Sequence, residues 1–315
     1  MSKLTGSNVL VTGGSGFLGA RVVERLIALG ANVSAPSHSS FNLMDKYDVH
    51  QMINIYAPDI VIHLAADVGG IGDNQSRPAD MFYNNAMMGL NVLNESAGQR
   101  IDKLVMMGTV CSYPANPPLP FSETDIWNGY PEETNAAYGI AKRMLLAGCI
   151  AYKEQYGLNS VYLLSTNMYG PNDNFDRNTS HVIPAIIRKV YEALEWEDEY
   201  VNLWGDGTAT RDFIYVDEVA RAVCLAAEKV NNVGPYNIGS GTEVSIDQLA
   251  HIIGDYMDYP GEFLFDHTMP NGQSRRVLET SLSYNDLGFE DSVPLEQGIQ
   301  ETVAWYMSNR REGRI

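Results

Sequence analysis

Cysteine is scarce in this chain. The three in 315 residues (Cys111, Cys149, Cys224) are too few and too scattered for a disulfide framework or a zinc site. No metal is therefore expected, and a reducing cytoplasm is the expected location. Long apolar runs are missing too: none reaches the roughly 18 residues of a membrane span, so no membrane partner is expected. The opening stretch MSKLTGSNVLVTGG enters a strand and a glycine loop at once, so no signal peptide is expected. Asn94-Glu-Ser96 and Asn178-Thr-Ser180 are accordingly not read as glycosylation sites. Positive charge is also short, with 21 lysines and arginines against 39 carboxylates and a net charge of −18. That argues against a nucleic-acid partner, which needs clustered cations against phosphates. An anionic substrate would have to meet a local basic pocket inside an acidic shell. Internal repeats and low-complexity linkers are absent as well.

What is present is a strand–helix alternation. Hydrophobic residues make 45% of the sequence, enough for a substantial core. Strands are expected near 8–12, 31–35, 59–64, 103–108 and 160–165, with helices at 17–29, 45–56, 76–98 and 135–156. This predicts an α/β fold, a doubly wound parallel sheet of Rossmann type. After Gly170-Pro171 the alternation breaks into a polar loop and an apolar helix, VIPAIIRKVYEAL. A strand at 213–216 follows, then helices near 245–256 and 294–309. Two interleaved lobes are expected: a dinucleotide-binding domain of 1–170 plus 212–240, and a smaller substrate-binding lobe of 171–211 plus 241–315.

Val9-Leu-Val-Thr-Gly13-Gly14-Ser15-Gly16-Phe17-Leu18-Gly19 is a strand, a glycine turn and a helix start. Glycines let the backbone approach a pyrophosphate, and the helix N-terminus offers oriented N–H groups to it. A lone glycine pattern is weak, but its place after the first strand of an alternating sheet points to a dinucleotide. NAD enzymes usually carry a carboxylate about 20 residues on. Here the second strand leads into Pro36-Ser37-His38, and no carboxylate stands between Glu24 and Asp45. Hydroxyls and an imidazole can hydrogen-bond a 2′-phosphate that a carboxylate would repel, so NADP(H) is the expected cofactor.

Tyr138 and Lys142 are one helical turn apart and share a face. An ammonium near a phenol favours the phenolate, and a tyrosine so tuned can pass a proton to a carbonyl oxygen as hydride arrives at its carbon. Thr109 ends a parallel strand, where open α/β sheets place ligand-contacting groups. Cys111, two residues on, reads alone as either a small buried hydrophobe or a working thiol. Cys149 and Cys224 read as core residues. His63 reads as a core histidine at a strand end, and His38, His50, His251 and His267 have no constellation comparable to that of His181 below.

The segments HLAADVGGI (63–71), CSYP (111–114), ETNAAYGIAK (133–142), STNMYGPNDNF (165–175), SHVIPAIIRK (180–189), LWGDGTATRDFIYVDEVA (203–220) and YNIGSG (236–241) resemble the GDP-L-fucose synthases, a branch of the extended short-chain dehydrogenase/reductases. The resemblance runs from about residue 8 to beyond 290. It implies a homodimer that epimerises C3 and C5 of GDP-4-keto-6-deoxymannose and reduces C4 with NADPH. It assigns Thr109, Tyr138 and Lys142 to reduction, Cys111 as epimerisation base and His181 as acid. It places Gly13, Gly14, Ser15, Gly16, Phe17, Leu18, Gly19, Ser37, His38, Ala65, Ala66, Met107, Gly108, Lys142, Ser165, Asn167, Met168 and His181 along the cofactor. Asn167, Lys189, Trp204, Arg211 and Asn271 fall where the family touches the nucleotide sugar. A thiol and an imidazole suit the implied chemistry, since both titrate near neutrality and a C4 ketone acidifies its neighbouring C–H bonds.

The chain departs from the family at Val110, at Ser15 and His38 where arginines are usual, at Asn271 where an aspartate is common, and in the acidic run 192–199. Those departures leave other GDP-4-keto sugars, of colitose or deoxyheptose type, as the rival substrates. A cofactor-binding scaffold or redox sensor without catalysis is the rival of another class. A 4,6-dehydratase would need an acid pair where Val110 and Cys111 stand, and a UDP-sugar 4-epimerase would not call for Cys111 and His181.

Overall fold

Alternating apolar residues along short β-runs put successive side chains on opposite faces of a sheet, and both faces are buried here. In the computed structural model, which describes residues 2–313 and 315, Val9, Val11, Ile60, Ile62, Val105 and Met107 enter one core. Leu10, Val61, Leu104 and Met106, the residues between them, enter another. The first part of the chain runs β1 (Asn8–Thr12), α1 (Phe17–Ala28), β2 (Asn32–Ser34), α2 (Lys46–Tyr56), β3 (Ile60–His63), α3 (Ile71–Ser76), α4 (Pro78–Gly98), β4 (Lys103–Thr109), α5 (Ala136–Tyr156) and β5 (Ser160–Ser165). It continues with β6 (Asn167–Tyr169), α6 (Val182–Trp196), β7 (Tyr200–Trp204), β8 (Thr210–Tyr215), α7 (Val216–Lys229), β9 (Tyr236–Ile238), β10 (Glu243–Ser245), α8 (Ile246–Tyr256), β11 (Glu262–Asp266), β12 (Arg275–Arg276), α9 (Ser281–Leu287) and α10 (Leu295–Arg311).

The main sheet has the order β2-β1-β3-β4-β5-β9, and every pairing in it is parallel. This is the doubly wound sheet expected from the sequence. α1 and α7 cover one face through Leu18, Val22, Leu26, Val219 and Val223. α2, α4 and α5 cover the other through Val49, Met52, Val92, Leu93, Leu145 and Leu146. The strand order reverses between β1 and β3, so a crevice opens beyond their carboxyl ends. Local chemistry ends the helices on cue: Asp45 caps α2 by accepting from the Tyr47 N–H (2.8 Å), and α5 stops at Gly157, φ +71°.

A second sheet joins β10, β8 and β12, with β6 also on β8, and β7 pairs with β11. Their core packs α6, α8 and α10 through Ile186, Ile187, Leu249, Ile253, Ile299 and Val303. Residues 167–169 and 212–215, placed by the sequence with the first lobe, pair in this small sheet instead. The chain crosses between the two sheets at both points, and α7 directly afterwards returns to the main one. Among the described residues, no helix is long and apolar enough to cross a membrane.

Candidate active site

The turn after β1 is as tight as its glycines allow. Gly13 has φ +73°, and a Cβ there would lie 2.7 Å from the Ala65 nitrogen. A Cβ on Gly19 would run into the Gly13 carbonyl. α1 therefore starts beneath the turn, with no acidic residue in its first turn and no side chain capping Gly16. Its leading N–H groups stay available to an anion. At the end of β2, Ser37 and His38 are exposed on the same wall, and the Ser37 hydroxyl is 2.8 Å from that of Ser39. Gly14 is different: its Cα faces Ala35 and Val23, so it serves the packing of α1 on β2 and not the crevice. These features fit a dinucleotide phosphate on the turn and, with no carboxylate in the sequence between Glu24 and Asp45, a 2′-phosphate at Ser37 and His38.

β4 and α5, with the 3-10 turn between them, carry Thr109, Cys111, Tyr138 and Lys142, the groups expected to react. Thr109 Oγ1 accepts from the Cys111 N–H (3.2 Å), starting a short 3-10 turn at Val110–Ser112. The same hydroxyl acts on Tyr138, where it favours the phenolate, so one side chain serves both the turn and the phenol. The turn is fastened to α5. Ser112 Oγ donates to the Gly139 carbonyl (3.0 Å), Arg143 Nε donates to the Ser112 carbonyl (2.8 Å), and Arg143 also reaches the Gly129 carbonyl (2.7 Å). Gly139 lacks a Cβ where one would strike the Cys111 carbonyl. Val110 is buried in the apolar core, whereas Cys111 is half-buried on the cleft wall.

Lys142 is buried, its Nζ 3.3 Å from the Met107 carbonyl and 5.8 Å from the centre of the Tyr138 ring. The net fall in the tyrosine pKa that this pairing suggests is not seen. Burial raises the Tyr138 phenol well above its ordinary value, Cys111 adds to the rise, and the Thr109 hydroxyl opposes it. Burial also drives Lys142 down to about 8. The phenol is thus protonated at neutral pH, the state a proton donor needs. His63 is a core histidine as expected, pushed down to about 3 by burial and Lys142, with Nδ1 2.8 Å from Thr12 Oγ1.

The opposite wall comes from the small sheet and α6. His181 is the residue before α6, its ring open to the cleft and its pKa lowered because neighbouring groups displace water around it. Asn167 Nδ2 donates to the Asp212 carbonyl (2.9 Å), and Lys189 Nζ to the Asn202 carbonyl (2.7 Å). Trp204 leaves about half its surface (51%) exposed at the rim, room for a flat group to stack. Asn271 is largely occupied: its Oδ1 accepts from the Asp206 N–H (2.9 Å) and its carbonyl from Arg211 (3.1 Å). Arg211 is buried and pushed down to about 9, first by burial and next by Arg276, its register partner on β12.

Arg276 is a residue that the sequence reading missed. It is buried, and its guanidinium donates to the Cys111 sulfur at 3.7 Å and to Gln273 at 3.0 Å. Its local signal, a Ser-Arg-Arg in a base-poor chain, says nothing of a sulfur 165 residues earlier. Among the described residues, neither Arg211 nor Arg276 forms an ion pair with a carboxylate.

All the sequence-predicted site residues except Gly14 line a single cleft of about 960 Å³. Lys142, Arg177, Arg188, Lys189, Arg211 and Arg276 share it with one carboxylate, Asp173, which burial raises to about 7. It is the basic pocket that an acidic protein needs for an anionic ligand.

Residues 9–239 match the model of the NAD dependent epimerase/dehydratase family. The chain belongs to that family. A GDP-L-fucose synthase of Sinorhizobium fredii is 35% identical over 309 residues, covering 98% of each chain. Among solved structures, a GDP-6-OMe-4-keto-L-xylo-heptose reductase from C. jejuni superimposes with a TM-score of 0.91 at 26% identity, over 98% of this chain and all of that one. A GDP-L-fucose synthetase from Naegleria fowleri, solved bound to NADP, gives 0.89 at 27% identity, over all of this chain and 97% of that one.

Proposed function

We propose that the protein is a GDP-L-fucose synthase, epimerising C3 and C5 of GDP-4-keto-6-deoxymannose and reducing C4 with NADPH. The observation that carries this reading is the presence of Cys111, His181 and Tyr138 on one cleft, because a plain ketoreductase needs only the last. NADPH, when bound, supplies the hydride. The residues above do the rest. Cys111, held by Arg276, removes a proton beside the ketone, and the Tyr138 hydroxyl stabilises the enolate oxygen. His181, brought in by α6, returns a proton from elsewhere on the cleft wall, inverting the carbon. Tyr138 then gives its proton to the C4 oxygen, and Lys142 stabilises the phenolate left behind. Arg211 and Lys189 are placed for the diphosphate and Trp204 for a flat ring.

A homodimer is part of the same reading, supported by the family resemblance. So is a cytoplasmic location, supported by three free thiols. The heptose reductase likeness favours one rival, a reductase of another GDP-4-keto sugar. Cys111 and His181 on the cleft favour the two-activity enzyme. The deciding assay is NMR of GDP-4-keto-6-deoxymannose in deuterated water with and without NADPH. Deuterium at C3 and C5 before reduction supports the proposal, and reduction with no exchange overturns it.

Two further outcomes test its parts. NADPH is expected to give a kcat/KM about tenfold above that of NADH, the worth of one charge-assisted hydrogen bond to the 2′-phosphate. The opposite ranking would remove Ser37 and His38 from that role. Arg276→Met is expected to slow exchange by roughly ten- to a hundredfold, the loss of one hydrogen bond to a charged group, with NADPH affinity unchanged. Exchange at the wild-type rate would free Cys111 of that partner.

A further inference from the structure

Asn74 belongs to no motif and to none of the roles above. It lies in α3, is 6% exposed, and forms part of the cleft wall. Its amide has a forced orientation. The Glu132 carboxylate can only accept, and it takes hydrogen bonds from the Thr134 hydroxyl (2.5 Å) and from Asn135 Nδ2 (3.0 Å). With its NH₂ held there, Asn135 presents Oδ1 to Asn74, whose Nδ2 donates to it at 2.7 Å. Turning the Asn74 amide over would set two carbonyl oxygens face to face. The Asn74 Oδ1 is therefore fixed as an acceptor, and it is buried with no partner among the described residues. Such a group is costly unless a donor fills it.

The surroundings put this oxygen beside the reaction. Asn135 directly precedes α5, three residues before Tyr138. Two residues earlier in α3, a Cβ on Gly72 would lie 3.9 Å from the tip of the Trp204 ring, so this short helix faces the substrate platform. From behind, Arg77 braces it by donating to Asp73 (2.8 Å) and to both oxygens of Asp67 (3.0 and 2.7 Å). An amide oxygen repels phosphate oxygens and the ketone, so its partner must be a donor. On a nucleotide sugar near Tyr138, that is a ring hydroxyl.

We propose that Asn74 Oδ1 accepts a hydrogen bond from a sugar-ring hydroxyl of the substrate, with Glu132 and Asn135 as positioning residues, so that the site selects hydroxylated over deoxygenated sugars. This rests on the function proposed above. The test compares kcat/KM for GDP-4-keto-6-deoxymannose with its 2-deoxy and 3-deoxy analogues, and measures Kd for GDP and NADPH. Wild type is expected to disfavour one analogue by about tenfold. Asn74→Ala should bring that ratio to within about twofold, with both Kd values unchanged. Glu132→Gln, which turns one acceptor oxygen of the anchor into a donor NH₂ without touching α3, should give an intermediate ratio. Wild-type turnover with no discrimination against either analogue overturns this inference alone. So does an unchanged ratio in Asn74→Ala, or a weakened NADPH Kd with the ratio intact. An unchanged ratio in Glu132→Gln removes the positioning chain. No turnover of any of the three sugars by wild type overturns the functional reading, and this inference falls with it.

Discussion

In deuterated water, Cys111→Ser is expected to incorporate deuterium at C3 and C5 of the keto sugar some 10²–10⁴ times more slowly than wild type, the range for removing a general base. Serine keeps the size and the backbone N–H that Thr109 holds, so the 3-10 turn should form unchanged. Its hydroxyl is a far poorer proton carrier near neutrality than a thiol. The variant should still oxidise NADPH with the keto sugar, because Thr109, Tyr138 and Lys142 stay in place, and it should yield a C4-reduced product with uninverted C3 and C5. Tyr138→Phe should lose hydride transfer more than exchange. This pattern of separate losses is what a shared cleft with two proton paths demands. Deuterium uptake by Cys111→Ser at the wild-type rate would reduce the protein to a ketoreductase.

Lys142→Met is expected to stabilise the ligand-free protein while lowering kcat at least a hundredfold. The lysine is buried, and burial takes its pKa from 10.5 to about 8. That drop corresponds to a cost of roughly 3 kcal/mol at pH 7. The sign follows from proton binding. Between pH 8 and 10.5 the unfolded chain holds a proton on this lysine that the folded chain has released, so wild-type stability rises with pH across that window. The advantage of the methionine variant is thus full below pH 8 and gone by about 10.5. Its thermal midpoint at pH 7 should be higher by roughly 3–5 °C. Scanning calorimetry at pH 7 and pH 10 checks this, and a variant less stable than wild type at pH 7 would contradict it. Wild-type turnover should decline above pH 8 as the lysine loses its charge.

Local motifs made much of this legible. The glycine turn, the Thr109 strand end and the Tyr138–Lys142 face are short-range patterns, and each sits on the element that its spacing predicts. Cys111 and His181 came from resemblance, and the structure puts both on the cleft. Arg276 and Asn74 were invisible because their meaning lies in partners far along the chain. β6, β9, β10 and β12 have runs of two or three residues with no measurable period, and the sequence reading also leaves out the five-residue β7 and β11, whose side chains alternate between outside and inside. Gly14 looked like part of the phosphate loop because a pattern does not say which way a Cα faces. The Tyr138 pKa runs opposite to the expectation because burial and Cys111 outweigh the Thr109 hydroxyl, and only the fold sets how deeply the phenol is buried.

Arg143 and Ser112 weld the thiol-bearing turn to the helix that carries the phenol, whereas the imidazole arrives at the head of α6, from a separate core. A change in the width of the crevice would therefore alter the imidazole's reach and the Arg276 contact to the thiol, while thiol and phenol stay fixed to one another. Hydride chemistry tolerates a loose seam between these cores, and stereochemical inversion does not. A descendant of this chain could drift into a simple ketoreductase by softening that seam, with every reacting group intact.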